Sequence, residues 1–272
     1  MPADPSTAPI GVFDSGIGGL TVAASLQRLL PSEKILYIGD TARVPYGGKS
    51  RRTVERYSVE IGELLLADHA KIIVVACNTA SALGVPRMKE VFQVPVQGVI
   101  LPGAKAAVSS TKNKVIGVIG TRATITSVAY EHAIRDIDPA AEIHSAACPL
   151  LVPLIEEGLF DDPVTDQILA RYLDPLLSKG IDTLVLGCTH YPLLKTSIAK
   201  IAGPSVSLVD SAENCALAVQ NLLRDARLSA PTERPGQLDV ALTDATEGFL
   251  RTAAQALKLE INQVTLGDTA RK

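Results

Sequence analysis

The 272-residue chain contains no tryptophan, and aromatic residues make up 4% of it against 47% apolar residues overall. Such a balance fits an α/β core packed from Ala, Val, Leu and Ile, not an aromatic-rich binding face. Cysteine is scarce, and the four present form no C-x-x-C pair. Neither a disulfide framework nor a closed zinc site is indicated, and free thiols in a reducing compartment are the expectation. Basic charge is not concentrated: no run exceeds Lys49 to Arg52, itself broken by Ser50, and the net charge is −3. Nucleic acid is therefore not expected as a primary partner. No apolar run approaches bilayer length, and Met1 to Pro9 has neither the positive nor the apolar region of a secretion signal. Membrane insertion and secretion are not expected, and the cytoplasm is the expected location.

What the chain has is length enough for two cores and an alternation of strand-like and helix-like stretches, which predicts parallel sheets with helices on both faces. Strands are expected at 10–13, 34–38, 72–75, 95–100, 114–119, 142–148, 184–187, 206–209 and 238–242. Helices are expected between them, the last two at 212–227 and 247–257, and residues 2–9 read as a disordered leader. Two stretches organise the whole: Ile72-Ile73-Val74-Val75-Ala76-Cys77-Asn78-Thr79 and Leu184-Val185-Leu186-Gly187-Cys188-Thr189-His190. Each is an uninterrupted aliphatic run, the mark of a strand buried on both faces, and each ends in a cysteine flanked by hydrogen-bonding side chains. The crevice outside the carboxyl ends of parallel strands is where open α/β sheets bind ligands.

A second echo links the halves. Gly117-Val-Ile-Gly120-Thr121 resembles Gly11-Val-Phe-Asp14-Ser15, and Cys77 lies 63 residues after Asp14 as Cys188 lies 68 after Gly120. Two related α/β halves with corresponding cysteines are expected, sharing one pocket. Two thiols across a pocket could form a redox couple, hold a metal together with His190, or move protons to and from opposite faces of a carbon. The 111-residue separation argues against the first, and the Cys188 to His190 spacing only partly matches metal ligands. Cys148, Cys215, His69, His132 and His144 carry no such context and read as ordinary structural residues. Two phosphate-binding motifs are near-misses: Arg43 stands where a P-loop before Gly48-Lys49-Ser50 needs glycine, and Thr21 where Gly16-x-Gly18-Gly19 needs its last. That glycine loop, at a helix start, would still suit a carboxylate.

At four longer motifs the chain resembles the cofactor-independent Asp/Glu racemase superfamily, and within it the glutamate racemases. They are Gly11 to Leu20, Gly39 to Gly47, Ala76 to Ala80 and Leu186 to Leu193; Cys148-Pro149-Leu150 with Glu156 also fits. The resemblance implies an amino-acid racemase that interconverts L- and D-glutamate for peptidoglycan without metal or cofactor. It implies Cys77 and Cys188 as the acid/base pair, with Asp14, Asp40, Glu156 and His190 in support. Ser15, Pro45, Tyr46, Gly47, Asn78, Thr79 and Thr189 are the implied substrate contacts, alongside Asp14, both cysteines and His190. It further implies two pseudo-symmetric doubly wound domains, 1–101 with 211–272 and 102–210, an active site at their interface, and a homodimer. A sister racemase for aspartate, a non-catalytic amino-acid-binding module and a metal-dependent hydrolase are the rivals.

Overall fold

The computed structural model describes residues 4–233, 235–244 and 263–266. Its strands are β1 (Ile10–Asp14), β2 (Lys34–Gly39), β3 (Ile72–Val75), β4 (Val96–Gly98), β5 (Val115–Gly120), β6 (Glu142–Ala147), β7 (Thr183–Gly187), β8 (Ser207–Asp210), β9 (Gln237–Leu242) and β10 (Gln263–Leu266). The α-helices are α1 (Leu20–Leu29), α2 (Arg51–Ala67), α3 (Asn78–Leu83), α4 (Val85–Val91), α5 (Ile100–Ser110), α6 (Arg122–Thr126), α7 (Ala129–Ile137), α8 (Leu151–Glu156), α9 (Pro163–Leu177), α10 (Lys195–Ala202) and α11 (Ser211–Asp225).

The strands form two sheets, ordered β10-β9-β2-β1-β3-β4 and β6-β5-β7-β8, and every pairing is parallel. The inner order β2-β1-β3-β4 repeats as β6-β5-β7-β8, with β1 answering to β5 and β3 to β7. The two short sequence echoes are thus the visible part of a repeated topology. Because β3 and β7 are equivalent, Cys77 and Cys188 leave their sheets at equivalent carboxyl ends. After α11 the chain returns to the first sheet, where β9 pairs with β2.

Side-chain alternation explains the layers. Ile72 and Val74 of β3 pack with Ile10 and Val12 against α1 and α11, while Ile73 and Val75 face Val54, Ile61 and Leu65 of α2. Successive residues thus bury on opposite faces, which only helices on both sides of the sheet allow. In β7, Leu184 and Leu186 meet Leu169 and Leu173 of α9, while Val185 turns the other way. That second side joins Ala104 and Ala107 of α5 to Ile73 and Val75, so one apolar layer runs between the sheets.

Most strand ends shift by a residue or so, and two larger differences arise at prolines. Pro102 and Pro153 each lie in the first turn of a helix, α5 and α8, where backbone N–H groups lack intrahelical partners and their loss costs little. The strand expected at 95–100 therefore shortens to β4, and Glu156 stands at the end of a helix instead of in a turn. Strand β10 was not anticipated, and the expected helix at 247–257 lies outside the described residues.

The leader is also corrected over its described part. Pro5–Thr7 forms a 3-10 turn capped by Asp4, whose Oδ1 accepts from the Ser6 N–H at 2.9 Å. Lys71 fastens that turn, donating from Nζ to the Ser6 carbonyl at 2.6 Å and to Glu33 Oε2 at 2.6 Å. Glu33 Oε1 in turn accepts from the Ala230 N–H at 2.8 Å. One buried ion pair ties the N-terminal turn, the starts of β2 and β3 and the linker to β9.

Candidate active site

Four strand ends supply the site. β1 ends in Asp14 and runs into Ser15; β3 leads to Cys77, which caps α3, its sulfur accepting from the Ala80 N–H at 3.4 Å. β5 leads to Thr121, which caps α6 by accepting from the Thr124 N–H at 3.3 Å. β7 leads to Cys188, Thr189 and His190, followed by a 3-10 turn at Tyr191–Leu194. These ends close around a cavity of about 20 Å3. Ten of the residues singled out from sequence line it: Ser15, Pro45, Tyr46, Gly47, Cys77, Asn78, Thr79, Cys188, Thr189 and His190. The cavity has room for about one water molecule, so admitting an amino acid requires the walls to part.

Val44, Thr121 and Val152 also line the cavity and were not singled out. Thr121 had a signal, since it is the repeat counterpart of Ser15; the two valines had none. Thr79, Thr121 and Thr124 form a triangle of hydroxyls 2.9, 3.0 and 3.1 Å apart, joining the two halves at the wall. The glycines have a steric reason to be there. A Cβ at Gly18 would stand 2.6 Å from His190 Nδ1, and one at Gly47 2.6 Å from Thr121 Cβ, so each lets a loop of one half close on the other.

The two thiols have different surroundings. Cys77 is buried, its Sγ 3.6 Å from Ser15 Oγ, and burial together with the Asp14 carboxylate pushes its pKa up to about 12. It is a thiol at neutral pH. Cys188 Sγ lies 3.9 Å from His190 Nδ1, and His190 Nε2 lies 3.3 Å from Glu156 Oε1, although the second contact lacks hydrogen-bond geometry. Burial alone would lower the imidazole pKa. The contacts with Cys188 and Glu156, helped by the charge of Asp14, outweigh it and raise the pKa to about 10. Cys188 therefore has an imidazole beside it and Cys77 a buried carboxyl group.

Three supporting carboxylates lie outside the cavity. Asp14 is fully buried, accepts from the Gly16 N–H at 3.1 Å and from the Thr189 hydroxyl at 3.3 Å, and so pins a residue of the second half to β1. Burial raises its pKa, with His190 opposing. Asp40 accepts from Arg43 Nε at 2.7 Å, from the Thr243 hydroxyl at 3.0 Å and from the Tyr46 hydroxyl. With three donors it anchors the loop carrying Pro45, Tyr46 and Gly47, one layer behind the cavity. Glu156 reaches the site only through His190. Among the described residues, no three His, Cys, Asp or Glu side chains are arranged to hold a metal ion.

Buried thiols carry a pH signature. Burial is the leading cause that raises Cys77, Cys148 and Cys215 from 9.0 to about 12. A raised acid pKa favours the native state below the unfolded value and loses that advantage as pH climbs through the folded one. Chemical denaturation should show stability falling between about pH 9 and pH 12, with Cys215→Ala, distant from the site, flattening the fall; an unchanged slope in that variant would contradict it.

Comparison with known proteins places this geometry. The sequence pattern described as Asp/Glu/Hydantoin racemase matches residues 15–219. The chain is 48% identical to a glutamate racemase of Geobacter metallireducens over 94% of both chains. Among solved structures, glutamate racemase isoform RacE1 from Bacillus anthracis superposes with TM-score 0.92 and 41% identity, covering 97% of this chain and 98% of that one. The Francisella tularensis glutamate racemase, solved with D-glutamate, superposes with TM-score 0.91 and 36% identity over 98% and 100%. Fold, cavity and likeness over nearly the whole length agree: the chain belongs to the Asp/Glu/Hydantoin racemase family.

Proposed function

We propose that this chain interconverts L- and D-glutamate by moving the α-proton between two cysteines, with no cofactor. The observation that carries the reading is that Cys77 and Cys188, from equivalent strand ends of two sheets, line one cavity. A carbon held between them faces one sulfur on each side. One sulfur takes the proton as a thiolate while the other, as a thiol, delivers its proton to the opposite face, and the stereocentre inverts. The reverse direction exchanges the roles.

Without a pyridine ring as electron sink, the carbanion depends on fixed donors around the substrate carboxylate. Ser15, Thr79, Thr121 and Asn78 line the cavity and can supply such donors, whereas the Thr189 hydroxyl proton is held by Asp14. His190 stands between Cys188 and the partly exposed Glu156 and favours the thiolate of Cys188, while Asp14 orients Thr189 and favours return of a proton to Cys77. Asp40 acts through Tyr46. Domains of 1–101 with 211–272 and 102–210 would part to admit substrate. A cytoplasmic homodimer supplying D-glutamate for peptidoglycan completes the reading and rests on family likeness.

The test is incubation of metal-stripped protein with L-glutamate in D2O without cofactor, following optical rotation and α-deuterium together. Rotation should decay to zero as deuterium enters the α-carbon. Absence of both changes would overturn the reading, and activity on aspartate alone would move it to the sister substrate.

A further inference from the structure

The two polar atoms of the Asn78 side chain are in opposite situations. Oδ1 accepts a hydrogen bond of 2.7 Å from the Tyr130 hydroxyl, whereas Nδ2 is buried and has no partner among the described residues. Asn78 is 2% exposed and lines the cavity. A buried donor left unpaired is costly, and it is tolerated where a ligand supplies the acceptor.

We propose that Tyr130 is a positioning residue that fixes the orientation of the Asn78 amide, so that the cavity wall presents an NH2 donor and selects a carboxylate. The inference rests on the reading that the cavity holds an amino acid. A carboxamide can turn over with little change of shape, exchanging an acceptor for a donor. Tyr130 opposes this. The Ser211 hydroxyl also hydrogen-bonds the phenol and, as donor to its oxygen, leaves the Tyr130 proton for Asn78 Oδ1. Turning the amide would require both hydroxyls to reverse. Held as it is, Asn78 has an unpaired N–H donor for a group that accepts, which a carboxylate does and an ammonium does not. Tyr130 also links the halves, since it stands on α7 beyond β5 while Asn78 opens α3 beyond β3. The fold makes room for it: a methyl group at Gly103 of α5 would approach the Tyr130 hydroxyl to 3.1 Å. When the walls part, this contact is among those that must yield, so the amide is locked in the closed form.

The test compares wild type, Tyr130→Phe, Asn78→Ala and the double variant. Tyr130→Phe, which keeps the ring, should raise KM for glutamate about tenfold while kcat stays within about threefold, the size expected for one hydrogen bond to a charged group. The double variant should be no worse than Asn78→Ala, because Tyr130 acts only through that amide. Unchanged KM in Tyr130→Phe, or effects that multiply in the double variant, would overturn the proposal in favour of simple packing. Orientation is read independently from the 15N side-chain NH2 pair of Asn78, assigned by its loss in Asn78→Ala, which should shift and broaden in Tyr130→Phe. An unmoved pair also overturns it, whether or not glutamate is turned over. Wild type inert towards glutamate is a separate outcome that removes the catalytic reading instead.

Discussion

Cys77→Ser and Cys188→Ser will each slow racemisation of glutamate by at least about a thousandfold, within the range general acid–base groups contribute. A hydroxyl is a far weaker acid than a thiol, so a serine at either place neither holds a useful fraction of its conjugate base nor releases a proton as readily. Both directions of reaction pass through both sulfurs, so losing either should depress turnover of both enantiomers. The cavity walls stay nearly the same in shape, and KM should move far less than kcat. Circular dichroism started from each enantiomer separates these quantities, and a thermal melt confirms that the variant is folded. Near-wild-type turnover in either variant would end the two-cysteine mechanism, and normal activity in Cys77→Ser alone would leave a one-base enzyme centred on Cys188 and His190.

The origin of that site was legible because its signals are local. A strand buried on both faces writes an unbroken aliphatic run, and β3 and β7 each do so immediately before a cysteine. The repeat in strand order was legible only as two short echoes. Its consequence for Thr121 follows from aligning Gly120-Thr121 with Asp14-Ser15, yet Val44 and Val152 have no chemistry to announce them. Asp40 shows where sequence runs out. A carboxylate at a strand end can face the cavity or the turn behind it, and here Thr243, 203 positions away, helps hold it behind. Prolines misled for a related reason, since Pro102 and Pro153 sit where a helix tolerates them. The leader misled because its anchor, Lys71, lies 65 positions from Ser6, just before β3, and gives no sign in sequence that it is buried.

That anchor sets the largest expected loss of stability. Lys71 and Glu33 side chains are 2% and 3% exposed, with Nζ and Oε2 2.6 Å apart. Lys71→Met removes the cation but leaves a carboxylate in a place built for an ion pair. Breaking a buried pair from one side typically costs about 3–5 kcal/mol, most of it the burden of the orphaned charge. For a chain of this size the melting temperature should fall by on the order of 10 °C. Pairing Lys71→Met with Glu33→Leu removes the orphan and should recover much of the loss, as apolar replacements of whole buried pairs do. The Ala230 N–H and the Ser6 carbonyl would still lack their partners, so recovery should be incomplete. The pair lies at the amino ends of β2 and β3, opposite the thiols, and the folded fraction of Lys71→Met should keep wild-type kcat. A melting temperature within about 2 °C of wild type would show that the pair carries no such burden. A recovered melting temperature with lost activity would instead reveal that this clamp reaches through β3 to the position of Cys77.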